Sequence, residues 1–186
     1  MTAARLARRT LLLAALAAAG AASAAHAGED DGLVEYQVKA AFVCKFGNYV
    51  DWPPQSLGAT GEPFRVGVLA SEAVVEEFRR TATAALVAGR PVEVRRLVRG
   101  EVPEGVQVVF MSRGMASHAP GLLAALHGRP VLTVTELEPG VATGMINFVV
   151  IDDKVRFDIL LPPATQSGLK ISVRLLGVAR RVEGRS

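Results

Sequence analysis

The side chains able to act as nucleophiles, bases or metal ligands are few and scattered. Cys44 is the single cysteine, and the histidines are His26, His118 and His127. His118 and His127 are too far apart in sequence for the i, i+4 spacing of a helical zinc pair, and no cluster of cysteine, histidine or carboxylate stands near them. Ser112, in Met111-Ser112-Arg113-Gly114, follows an apolar run as a nucleophile would. The first glycine of a G-x-S-x-G elbow is missing, and a helix cap is the better account of the serine. After the first strand the chain reads Leu69-Ala70-Ser71-Glu72-Ala73, without the glycine-rich turn that cradles a pyrophosphate. The expectation is a binding protein with no catalytic residue, no metal site and no cofactor.

Other residues suit recognition. Asn147 interrupts the apolar run Ile146 to Ile151, and a buried amide must find hydrogen bonds. It either ties down the preceding loop, Glu136 to Gly144, or lines a pocket at a strand end. Arg156 and Asp158 alternate with Val155, Phe157 and Ile159 and so share the opposite face of their strand. Arg174 breaks an otherwise apolar C-terminal stretch and wants a carboxylate or anion, for which Asp158 is a candidate.

The elements that must position these residues alternate between the two periods. Val38, Phe42, Val43, Phe46, Tyr49 and Val50 form a helical stripe over residues 34–50. Cys44 lies off that stripe, on a second, partly covered face or as an exposed thiol able to bridge subunits. Trp52-Pro53-Pro54 stops the helix. Strands are expected at residues 64–70, 91–98, 106–111 and 130–135, the second at a sheet edge because it is more polar. Helices are expected from Glu72 to Leu86, closed by Gly89, and from Ser112 or Ser117 to about His127. Residues 146–151 and 155–160 flank Asp152-Asp153 as a hairpin, and a last helix is expected from Leu169 to Val182. The fold class is α/β: a Rossmann-like, mostly parallel sheet with helices on both faces and an antiparallel C-terminal hairpin at the sheet edge.

The first residues give an address. Arg5, Arg8 and Arg9 precede the apolar run Leu11 to Ala19, and Ala22-Ser23-Ala24 and Ala25-His26-Ala27 read as cleavage sites. Residues 1–27 are expected to be a secretory signal peptide and 28–186 a single domain, soluble in the periplasm. Arg8-Arg9 leaves the choice between general and twin-arginine export open. Residues 1–27 hold three arginines and no acid, so the remainder balances 18 Lys+Arg against 18 Asp+Glu. That balance argues against a nucleic-acid partner. No later stretch is apolar enough to span a bilayer. One cysteine allows no disulfide within the chain.

Three stretches resemble the YfiR-like family of periplasmic regulators: Tyr36-Gln-Val-Lys-Ala-Ala-Phe42 through Phe46 to Trp52-Pro53; Gly144-Met-Ile-Asn-Phe148 with Val155-Arg-Phe-Asp158; and Gly168-Leu-Lys-Ile-Ser172 with Arg174-Leu-Leu176. Arg129 to Val134 also fits. The resemblance implies a non-enzymatic repressor, often dimeric, that holds a membrane-bound signalling protein inactive. The target would be the periplasmic domain of an inner-membrane diguanylate cyclase, with effects on cyclic di-GMP and biofilm, or of a sensor kinase. An outer-membrane lipoprotein would be a further partner. The paired cysteines of the best-known member are absent, Asp158-Ile159-Leu160 stands where Glu-Ile-Asn is frequent, and Val173 replaces a second serine. Residues expected to line a partner or ligand surface are Tyr49, Trp52, Met145, Asn147, Arg156, Asp158 and Arg174. A periplasmic small-molecule receptor module is the alternative.

Overall fold

Alternating strand and helix patterns become an eight-stranded sheet in a computed structural model that describes residues 32–138 and 142–184. The proposed signal peptide lies outside those residues. The chain divides after Glu35, and the sheet belongs to the second unit, from Tyr36 onward. Helix α1 occupies residues 32–46. The helix expected to run to Val50 ends at Phe46: a single 3-10 turn leads to β1 (Val50–Asp51), which pairs with Lys170 and Ile171, and Trp52-Pro53 follows that strand and not the helix.

The sheet strands are β2 (Phe64–Leu69), β3 (Leu86–Val87), β4 (Arg90–Arg96), β5 (Val108–Met111), β6 (Leu132–Thr135), β7 (Ile146–Ile151), β8 (Lys154–Leu160) and β10 (Arg181–Glu183). Their order is β10-β8-β7-β6-β5-β2-β4-β3. From β4 through β2, β5 and β6 to β7 every pairing is parallel. The β7–β8 pair is the expected antiparallel hairpin, and β10 runs parallel to β8 outside it. Asp152 and Asp153 make the hairpin turn at φ of 49° and 56°, a left-handed conformation that aspartate tolerates. The polar strand β4 is covered at its outer side only by two-residue β3.

Each strand sends alternate side chains to opposite faces. Val66, Val68, Val108, Phe110, Leu132, Val134, Ile146 and Phe148 meet α1 and α2 (Glu72–Ala82) on one face. Leu69, Val109 and Met111 meet α3 (Ala119–Leu126) on the other. The fold class read from the sequence is the one observed.

Three local expectations are corrected. The helix from Glu72 ends at Ala82, because Leu86–Val87 pairs with Arg90 and Pro91 instead. Ala88 and Gly89, at φ of 49° and 75°, are then the turn of that hairpin, so Gly89 closes no helix. The helix expected from Leu169 to Val182 is divided into β9 (Lys170–Ile171), α5 (Val173–Val178) and β10. Strand β9 pairs with β1 (Val50↔Ile171, Asp51↔Lys170), which removes the first turn from any helix there. The Ser172 hydroxyl caps the short α5 by accepting from the Arg174 amide. Pro162 and Pro163 lie in the first turn of α4 (Leu161–Gln166), where a missing N–H costs nothing.

The strongest anchor of α1 is a charge that the sequence places on its apolar side. Lys39 is 1% exposed and its Nζ donates to Glu136 Oε2 at the end of β6. Glu136 Oε1 accepts from the Tyr36 hydroxyl at 2.6 Å and from the Arg113 amide at 2.7 Å. The ammonium also sits 5.0 Å from the Tyr36 ring centroid. Removing one member of a buried ion pair leaves the other charged and dry, at a cost of about 3–5 kcal/mol. Lys39→Met should therefore lower the urea-unfolding free energy by roughly that amount. Lys39→Met/Glu136→Gln, which keeps an acceptor for Tyr36 and Arg113, should recover most of it. Additive losses in the double variant would show that the two residues are not coupled.

Candidate partner-binding groove

Four aromatic rings make a platform where α1 crosses the hairpin. Phe46 packs edge-on to Phe157 at 5.0 Å between centroids and stacks with Phe148 at 5.8 Å. Phe42 lies 5.8 Å from Phe157 and 5.9 Å from Phe46. Phe46, Phe148 and Phe157 are buried, whereas Phe42 is half-buried and reaches the surface. These spacings fall in the range where aromatic pairs add to area burial.

Above this platform runs a groove of about 320 Å³ between α1 and α5. Phe42, Phe46 and Phe157 form its floor, Tyr49, Leu175 and Val178 its apolar walls, and Lys45 and Arg174 its cationic rim. The walls are held at one end by the β1–β9 pair and by the Ser172 amide, which donates to Tyr49 carbonyl at 2.8 Å. Tyr49 is 37% exposed, Val178 68% and the neighbouring Val173 80%, a concentration of apolar surface that marks interaction sites. Among the described residues, neither Lys45 nor Arg174 has an acidic partner, whereas most other arginines do.

Tyr49 and Arg174 are thus brought together on one groove, as walls and rim. Asn147 and Asp158 are brought together elsewhere, as cross-strand partners on the opposite face of the sheet. The amide of Asn147 is 8% exposed and ties down the loop. Its Oδ1 accepts from the Leu137 amide at 2.9 Å and the Thr135 hydroxyl at 2.7 Å, while Nδ2 donates to the Leu137 carbonyl at 3.0 Å. Thr135 and Thr133 then accept from the amides of Gly144 and Met145, both at 3.0 Å. A side chain at Gly144 would start 2.6 Å from the Thr133 carbonyl oxygen, so the loop closes only with glycine there.

The expected Asp158–Arg174 pair is not formed. Arg180 Nε donates to Asp158 Oδ1 at 2.7 Å and its NH2 to Oδ2, a bidentate fork. The reason is the division of the last helix: β10 lies beside β8 and carries Arg180 to Asp158, while α5 turns Arg174 onto the groove. Asp158 raises the already high pKa of Arg180. Trp52 is half-buried, donating from Nε1 to the Gly47 carbonyl at 2.9 Å and packing edge-on to Phe64. Met145 is buried, and Arg156 is exposed opposite Val149. His118 Nδ1 is paired with the Ser117 hydroxyl at 3.1 Å.

Sequence reasoning missed Lys39 and Lys45. A signal for Lys39 existed: it shares a helical face with Val43 and Phe46, where a lysine needs a buried carboxylate. Lys45 follows Cys44 on the outer side and became recognisable only once α5 was seen opposite. Cys44 itself is 4% exposed, and burial pushes its thiol up to about 11. The exposed, bridging thiol is therefore not what the fold presents.

A family model described as YfiR/HmsC-like matches residues 36–180. The chain belongs to the YfiR/HmsC-like family. Among curated proteins none matches it significantly. The matched segment includes α1 from Tyr36 onward, every sheet strand but β10 and both walls of the groove.

Two outcomes follow from this geometry. Asn147→Ala strands the Leu137 amide and carbonyl and should cost about 1–3 kcal/mol in chemical unfolding, against under 0.5 kcal/mol for exposed Arg156→Ala. With its pKa near 11, Cys44 should hold about a hundredfold less thiolate at pH 8 than a thiol near 9. Native protein should therefore resist iodoacetamide at pH 8 and react rapidly in denaturant. Rapid native labelling would show that the α1 face opens.

Proposed function

We propose that this protein is an exported regulator that binds the periplasmic portion of a membrane-anchored diguanylate cyclase and restrains it. Family membership supports a periplasmic, non-enzymatic regulator acting on cyclic di-GMP synthesis. The basic, apolar start of the sequence supports export and removal of residues 1–27, leaving 28–186 as one domain. No described helix is long and apolar enough to cross a membrane. A homodimer and capture by an outer-membrane lipoprotein belong to the same reading.

The observation that carries the proposal is the groove: an aromatic floor, exposed valines and two cations without acidic partners among the described residues. Such a surface suits a segment of the cyclase that presents apolar side chains flanked by aspartate or glutamate. Burying the apolar part supplies affinity, and the rim charges supply orientation and on-rate. Tyr49 and Arg174 are the anchors in this reading. Asp158 and Asn147 hold the strands behind them.

Deleting the gene should raise cellular cyclic di-GMP, and wild-type protein supplied in trans should lower it again. Lys45→Glu/Arg174→Glu changes only exposed groups, so it should fold normally yet fail to restore repression. Unchanged cyclic di-GMP on deletion would overturn the function. Full repression by a folded double-glutamate variant would overturn the groove as its site.

A further inference from the structure

A second groove crosses the other face of the sheet, where α3 and α4 stand apart. It has a volume of about 450 Å³, within the ordinary range for small-molecule sites. Pro120 and Leu123 of α3 form one wall, Pro163 of α4 the other, and Met145 and Leu160 lie between them. These side chains are apolar, and among the described residues no lysine, arginine or carboxylate lines the groove.

One polar atom there is out of place. Ser167 follows α4 and lines the groove, is 4% exposed, and its hydroxyl has no hydrogen-bond partner. It is the one buried side-chain oxygen or nitrogen among the described residues in that condition. Its own amide is satisfied by the Pro163 and Ala164 carbonyls, both at 3.1 Å, so the backbone places no demand on the hydroxyl. An unpaired buried hydroxyl costs about 1–3 kcal/mol, and alanine would relieve that cost. Two other polar groups of the groove are engaged: Thr133 Oγ1 accepts from the Met145 amide, and His127 Nε2 meets Gln166 Oε1 at 3.1 Å.

We propose that this groove binds a small, neutral, largely apolar molecule whose single hydroxyl, carbonyl or amide group pairs with Ser167. The absence of fixed charge in the lining selects against ionised ligands, because nothing there would compensate their desolvation. The apolar walls give affinity, and the Ser167 hydroxyl gives orientation at one end. The site is separate from the cationic groove, so it stands whether or not a cyclase docks there.

The test is a titration of the intact, isotope-labelled protein with 4-ethylphenol and with ethylbenzene, followed by amide shifts in NMR. Both probes should shift Leu123, Met145, Leu160 and Ser167. The phenol should bind about tenfold more tightly, the worth of one hydrogen bond to a group otherwise unpaired. Ser167→Ala should abolish that preference while leaving the melting temperature unchanged or higher. Leu123→Trp should exclude both probes. The proposal is overturned if neither probe shifts these residues, if shifts fall instead around Lys45 and Tyr49, or if Ser167→Ala still prefers the phenol. It is likewise overturned if only a protein partner perturbs the groove.

Discussion

The architecture turns on one buried contact, the ammonium of Lys39 against the carboxylate of Glu136. Isolated, either charge would be intolerable at that depth. Together, and hydrogen-bonded by Tyr36 and the Arg113 amide, they fix where α1 lies along the sheet. A purely apolar helix face could slide by a turn with little loss, whereas a single ion pair admits one register. Phe42 and Phe46 reach Phe157 only in that register, and the groove floor is made of those three rings. The charge pair therefore sets the position of the groove without lining it.

A second layer of polar order works at the same, C-terminal end of β6, on the two residues that flank Glu136. Asn147, Thr135 and Thr133 bind backbone amides and a carbonyl of the segment between β6 and β7, as a strand would. Parallel strands need long connections, and long connections carry unsatisfied backbone groups. Here side chains of the sheet satisfy them. That leaves the outer side of β7 and β8 free for Asp158 and Arg180, which fasten the last strand.

Most of the sheet was legible in the sequence because its strands are apolar on both faces and short, with turns marked by Gly, Pro and Asp. The hairpin at Asp152-Asp153 followed from two apolar runs about a turn, and an amide inside an apolar run marked Asn147 as needing partners without deciding between a loop tie and a pocket wall. What was not legible depended on distant pairing. Residues 169–182 have a helical pattern, but Lys170 and Ile171 pair with Val50 and Asp51, far away in sequence. Local propensity cannot anticipate a partner of that kind. The same event hid the groove, since Arg174 and Lys45 face one another only after the C-terminal segment folds back. Asp158 was offered as the carboxylate for Arg174, and the same event gives it to Arg180 instead.

The clasp between α1 and the far half of the chain has a consequence for how the molecule reaches its working state. Tyr36 and Lys39 bind Glu136 across sequence separations of 100 and 97 residues. Phe46 waits longer still, for Phe157. A polypeptide threaded through a translocation channel from its N-terminus would emerge with this helix first and nothing to cover it. Its aromatic edge would stay wet until the hairpin followed, a dependence on non-local contacts that slows folding and exposes sticky surface. Periplasmic holdases, or export of the finished globule by a folded-protein translocase, would each relieve that interval.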